Sequence, residues 1–177
     1  MKKLFILFAL ALASLCASAQ KKGDMAIGLN FGFAPSLGAE SSFTNPGVGA
    51  KFQYNMSNPM RFELSLDYWM ENKGVEMFNT SANFQYLVHA GKKVCVYPTV
   101  GIGLALVSFD LDYTPDPDAI VWGGYTDSAA VAKILFNIGA GFEYSLSDKF
   151  SIGAEVKYQY IDNFSRLPVT VGATYKF

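Results

Sequence analysis

Charge, cysteine and histidine are all scarce in this chain. Charged side chains make up 16% of its 177 residues, with two cysteines and one histidine. A formal net charge of -1 provides no basic field for nucleic acid. Two cysteines cannot build a disulfide scaffold. Long apolar runs are missing beyond the first residues, because Gly or polar residues interrupt every later one. No later stretch therefore reads as a transmembrane helix. What the chain holds instead is 51% hydrophobic and 15% aromatic residues, with 16 Gly. That is too apolar for disorder, and the length predicts one domain.

The opening segment is a targeting signal by its pattern. Lys2 and Lys3 precede an apolar run over 4–13 and the small-residue stretch Ala17-Ser18-Ala19. A basic start, a short apolar core and an A-x-A site make a secretory signal peptide over 1–19, cleaved after Ala19. Lipidation at Cys16 is the alternative, set against by the bulk of Leu15 before it. The mature domain is 20–177, with Cys95 as its one cysteine and hence no internal disulfide. Loss of Lys2 and Lys3 takes the formal charge from -1 to -3.

Period-2 alternation then recurs over 25–34, 48–56, 60–71, 78–89, 96–106, 133–144, 151–160 and 169–177. This is the signature of strands with two unlike faces. Pro98, which lacks a ladder donor, predicts a bulge or irregular pairing. Short turns fall at 57–59, 91–93 and 147–149; longer or more irregular links fall at 35–47, 71–77, 110–130 and 161–167. Short links at one end and long ones at the other suit an up-and-down meander across a bilayer. The fold class expected is all-β: an eight-stranded antiparallel up-and-down transmembrane β-barrel, both termini on the short-turn side.

Which face meets lipid follows from zoning by depth. Mid-strand positions of the apolar face are aliphatic, such as Leu29, Leu66, Ile102, Ile138 and Val171. Aromatics gather toward the short-turn end (Tyr54, Phe62, Tyr86, Tyr144, Phe150, Tyr175, Phe177) and the long-loop end (Phe33, Tyr68, Phe78, Tyr158, Tyr160). Two belts around an aliphatic band match interfacial girdles on a membrane barrel. A soluble, lipocalin-like periplasmic barrel gives no reason for that zoning. The polar face then points into a lumen wide enough only for side chains. Lys51, Arg61, Glu63, Asp67, Lys133, Glu143, Glu155 and Lys157 are the candidates for a lumen ion network, near balance in sign as buried charge requires. Inward glycines at 101, 103, 139, 141 and 153 leave room for water pockets.

The chain resembles the small eight-stranded outer-membrane barrels of Gram-negative bacteria, of the OmpX and OmpA transmembrane-domain type, across essentially all of 20–177. Its most specific element is Phe177 preceded at alternate positions by Tyr175, Ala173, Val171 and Val169. That pattern resembles the signal read by the barrel-assembly machinery. The Gln after the cleavage site and the aromatic richness are similar to barrels of the Bacteroidetes. The resemblance implies an outer-membrane location, contact with membrane lipids and lipopolysaccharide, and a monomer.

Chemistry is weakly signalled. Some barrels of this size modify lipid A, and such acyl chemistry calls for a His base beside a Ser at the outer leaflet. The one histidine, His89, falls beside the short turn 91–93, across the bilayer from that leaflet, where ordinary hydrogen bonds are expected of it. Asp110, Asp112, Asp116, Asp118 and Asp127 crowd the longest loop, but their spacing fails a calcium loop. No catalytic, cofactor or metal residue is assigned. Ile120, Val121 and Trp122, then Gly123-Gly124 and Tyr125, suggest a hairpin continuing the fifth and sixth strands above the membrane. Ile120, Val121, Trp122 and Tyr125 are the candidate contacts with a surface partner through loop 110–130, in keeping with the adhesive roles implied for OmpX-like barrels. The expected role is structural or adhesin-like, without catalysis; a lipid A-modifying enzyme is the alternative.

Overall fold

The computed structural model describes residues 22–37, 44–110, 128–161 and 164–177. Among them there is no helix. The strands are β1 (Met25–Leu37), β2 (Thr44–Asn55), β3 (Met60–Asn72), β4 (Val75–Tyr86), β5 (Val88–Ala90), β6 (Val94–Asp110), β7 (Ser128–Ser145), β8 (Phe150–Ile161), β9 (Phe164–Arg166) and β10 (Val169–Lys176). All pairings are antiparallel, in the order β10-β1-β2-β3-β4-β6-β7-β8, and β10 pairs both β8 and β1, so the sheet closes. Closure leaves no open edge in hydrocarbon, where an unpaired N–H or C=O costs several kcal/mol.

These ten segments are the eight barrel strands expected, because two strands are interrupted in place. Gln85 pairs Thr99 and Val88 pairs Val96 in one unbroken register. The ladder lapses between them, opposite Tyr97 and Pro98, where the proline has no N–H to give. On its other side Pro98 sits in register with Ala140. Pro98 therefore marks an interruption, not a bulge. Pro168 does the same between β9 and β10, whose registers with β1 and β8 agree on both sides of it. The register shift that does occur lies elsewhere, between Trp69 and Asn72 on β3.

Two links are tighter than the sequence implies. The stretch 71–77 is strand on both sides of a two-residue turn, with Asn72 paired to Val75. Lys73 and Gly74 both take positive φ, 53° and 74°, the conformation a two-residue hairpin turn requires. The ladder of β6 and β7 runs without a break from Val94 and Tyr144 to Asp110 and Ser128. At 17 and 18 residues these strands exceed the roughly 9–11 that cross a bilayer, so the pair rises beyond the other strands. Ile120, Val121, Trp122 and Tyr125 lie outside the described residues.

The outward face is apolar throughout its middle, with Leu29 71% and Ile138 60% exposed, while Glu63 beneath is 0% exposed. The short-turn belt is built by neighbours in register. Phe62 meets Phe84 edge to face at 5.5 Å, and Phe150 meets Tyr175 at 6.1 Å. Such offset contacts are the favoured geometry of aromatic pairs.

Candidate functional site

Among the described residues polar chemistry is concentrated in the lumen, and the strands deliver it in layers. Because side chains alternate along each strand, every second residue of every strand points inward. At the short-turn end Arg61 is the hub. Its Nη1 donates to Glu143 Oε2 at 2.9 Å, and its Nε donates to Gln85 Oε1 at 2.6 Å. The guanidinium also lies 4.9 Å from the centre of the Tyr97 ring. Lys176 Nζ reaches the other oxygen of Glu143 at 2.8 Å. One carboxylate is thus held between two cations.

The next layer centres on Lys157. Its Nζ sits 2.6 Å from Glu155 Oε1 and 3.9 Å from Glu63 Oε1. Glu63 also accepts from Gln53 Nε2 at 2.8 Å and from Asn83 Nδ2 at 3.4 Å. Gln85 links the two layers, accepting from Arg61 while its Nε2 approaches Glu155 Oε2 at 3.5 Å. Charge-assisted contacts of this kind offset the desolvation of buried ions only when the remaining lone pairs are also met, and the amides of Gln53, Asn83 and Gln85 supply that.

Of the eight candidate ion-network residues, Arg61, Glu63, Glu143, Glu155 and Lys157 come together in this way. Asp67 is inward and accepts from Asn30 Nδ2 at 3.2 Å. Lys51 is half-buried on β2, its stem lying against Gly28. Lys133 lies opposite Ala105, nearer the long-loop end. His89 is buried at the short-turn end, paired across the sheet with Cys95. Contrary to expectation, neither of its ring nitrogens finds a hydrogen-bond partner among the described residues. Val171, Tyr175 and Phe177 point outward, with Val169 and Ala173 half-buried on the same alternation.

Sequence reasoning passed over Gln85, Tyr97, Trp69 and Arg166. Tyr97 follows the inward parity of Thr99, and its ring has space because Gly141 faces it across the ladder. A Cβ on Gly141 would overlap that ring. Gly47 makes the same allowance for Trp69 on β3. The inward glycines therefore hold neighbouring side chains more than water: Asn83 lies over Gly101, Ser81 over Gly103 and Lys157 over Gly139. Gly141→Val is accordingly expected to destabilise the barrel by about 1–3 kcal/mol through overpacking, lowering the urea midpoint of the refolded protein. Adding Tyr97→Leu should recover most of that loss.

A family model described as "Outer membrane protein beta-barrel domain" matches residues 5–177. No curated protein sequence matches the chain. Among solved structures, Neisserial surface protein A superposes with a TM-score of 0.71 at 15% identity, over 88% of this chain and 100% of that one. Ail, the attachment invasion locus protein of Yersinia pestis, gives 0.63 at 18% identity, over 88% and 99%. The N-terminal β-barrel domain of OprF from Pseudomonas aeruginosa gives 0.61 at 18% identity, over 89% and 100%.

Proposed function

The chain belongs to the outer-membrane protein β-barrel domain family and resides in the outer membrane; on that premise we propose that it is a non-catalytic barrel, closed to diffusion, that makes surface contacts through its long-loop end. The observation that carries this reading is the unequal height of the strands. β7 pairs with β6 up to Ser128, whereas its pairing with β8 stops at Leu135 opposite Ile161. Residues 128–134 therefore have no strand on their β8 side among the described residues. Val131 and Ile134 on this stretch are exposed. An exposed strand edge recruits an extended segment from another chain through main-chain hydrogen bonds.

The chemistry of the loop narrows the partner. Asp110, Asp112, Asp116, Asp118 and Asp127 surround this edge in sequence. Ail has been solved with the heparin analogue sucrose octasulfate. A polysulfate would be repelled by the acidic loop here, so the partner is a protein strand rather than a sulfated glycan. The enzymatic alternative gains no support, since His89 lies at the short-turn end. Residues 1–19 serve as the cleaved signal peptide. Val169, Val171, Ala173, Tyr175 and Phe177 serve as the assembly signal.

Val131→Pro and Ala132→Pro together test the edge. Successive residues of a strand send their N–H groups to opposite sides, so one of the two faces β6 and the other faces the open edge. One variant should fold normally yet lose adhesion of expressing cells to cultured epithelial cells; the other should lose barrel stability. Adhesion equal to that of cells lacking the protein, before any substitution, would refute the proposal.

A further inference from the structure

The long-loop end of the lumen reverses the polarity of everything below it. Ala34, Trp69, Met77, Ala105, Val107, Leu135 and Ile161 point inward there and form one buried apolar cluster, each no more than 2% exposed. They come from β1, β3, β4, β6, β7 and β8. Asn45 of β2 and Arg166 of β9 complete the layer, so every strand of the barrel contributes. Arg166 lies with its guanidinium 5.0 Å from the centre of the Trp69 ring, and its Nη2 donates to Asn45 Oδ1 at 3.1 Å. Asn45 in turn donates to the carbonyls of Met70 and Val75, both at 2.8 Å, tying β2 to the hairpin beside it.

Nothing in the bilayer asks for apolar residues on this inner side, because lipid wets only the outside. Below the layer, by contrast, the lumen is polar and has places for single waters. The side-chain oxygens of Gln53, Thr99, Asn137 and Ser151 find no protein partner among the described residues. Buried polar atoms left so are satisfied by ordered water. Two cavities of about 10 Å³ each, roughly one water, lie at either end of this polar section. One is beside Arg61 and Lys176; the other is directly beneath Trp69, against Asp67, Lys157 and Gln159.

We propose that the apolar layer around Trp69, Met77, Leu135 and Ile161 is the permeability barrier of the barrel, a dewetted seal against water and small inorganic ions at the outer mouth. The inference rests on the reading of a closed lumen and says which part closes it. Ion pairs and amides exchange their partners with water and passing ions. The apolar side chains of the constriction exclude both, because an ion among them finds nothing to replace its hydration shell, and the Arg166 guanidinium and Asn45 amide in the layer are already engaged with Trp69, Met77 and each other. The section beneath is a polar, charge-balanced column of side chains with room for single waters. Once unsealed it would conduct K⁺ and Cl⁻ with little preference.

Conductance of the refolded protein in planar bilayers under KCl tests this. The unmodified barrel should show no resolved steps, whereas Leu135→Ser/Met77→Ser should raise the conductance at least tenfold. Glu143→Gln should stay as silent as the parent. Migration that changes on boiling confirms that each variant is folded. If the double variant fails to fold, Ile161→Ser, which removes one wall and leaves the Trp69–Gly47 fit alone, is scored in its place. Seal variants as silent as the parent, or Glu143→Gln opening while they stay shut, would place the barrier in the ionic layers and overturn the proposal, with the closed lumen still standing. Steady conductance of the unmodified barrel would overturn both.

Discussion

Arg61→Met is expected to destabilise the barrel by about 3–5 kcal/mol, the range for removing one partner of a buried ion pair. Arg61 is buried and makes three separate contacts, with Glu143, Gln85 and the face of Tyr97. Methionine keeps much of the volume but leaves Glu143 with Lys176 alone and Gln85 Oε1 without its donor. The cost arises from what is left behind, not from the net worth of the pair. Arg61→Met/Glu143→Leu should therefore recover most of the loss, because removing both partners also removes the stranded charge. Urea titration of the protein refolded into liposomes measures both. A single variant within about 0.5 kcal/mol of the parent, the range of ordinary surface substitutions, would mean that water had replaced the guanidinium freely.

The parts of this fold legible in the sequence are those where one rule acts along a whole strand. Lipid wets the outer face along the whole strand, so Met60, Phe62, Leu64, Leu66 and Tyr68 declare both the strand and its direction without any knowledge of neighbours. Balanced charge on the other face likewise announces Arg61, Glu63, Glu143, Glu155 and Lys157 as a buried set. What escapes is set by cross-strand fit. Trp69, Met77 and Leu135 share inward parity with Asp67, Asn79 and Asn137, yet the expectation of a polar interior passes over them. Only the register that brings Trp69 opposite Gly47, and Met77 opposite Val107, makes them one layer. Arg166 falls inside the irregular link expected over 161–167, and Pro168 separates its short strand from β10. Lys133 shares charge and parity, but not depth, with residues farther down the barrel. Parity is a property of one strand; depth is a property of the closed sheet.

Leu66→Arg provides the sharpest test of what wets the outer face. Leu66 is flanked by Ala50 on β2 and Thr80 on β4, at the middle of β3 and between the Phe62 and Tyr68 rings of its own strand. A guanidinium there must either stay in hydrocarbon or reach several residues along the strand to the headgroups. The expected cost is about 2–4 kcal/mol, as for Arg at the bilayer midplane of an outer-membrane barrel. Tyr175→Arg, at the level of Phe150 in the short-turn belt, should cost about 0–1 kcal/mol, because its charge already lies at the interface. The difference between the two is the informative quantity, since loss of apolar packing is common to both. Ile138→Arg, flanked by Val100 and Tyr158 across the barrel, should follow Leu66→Arg. Equal costs at Leu66 and Tyr175 would mean that the outer surface has no depth. In that case water would surround the barrel, since only a layered solvent charges different amounts for the same ion at different heights.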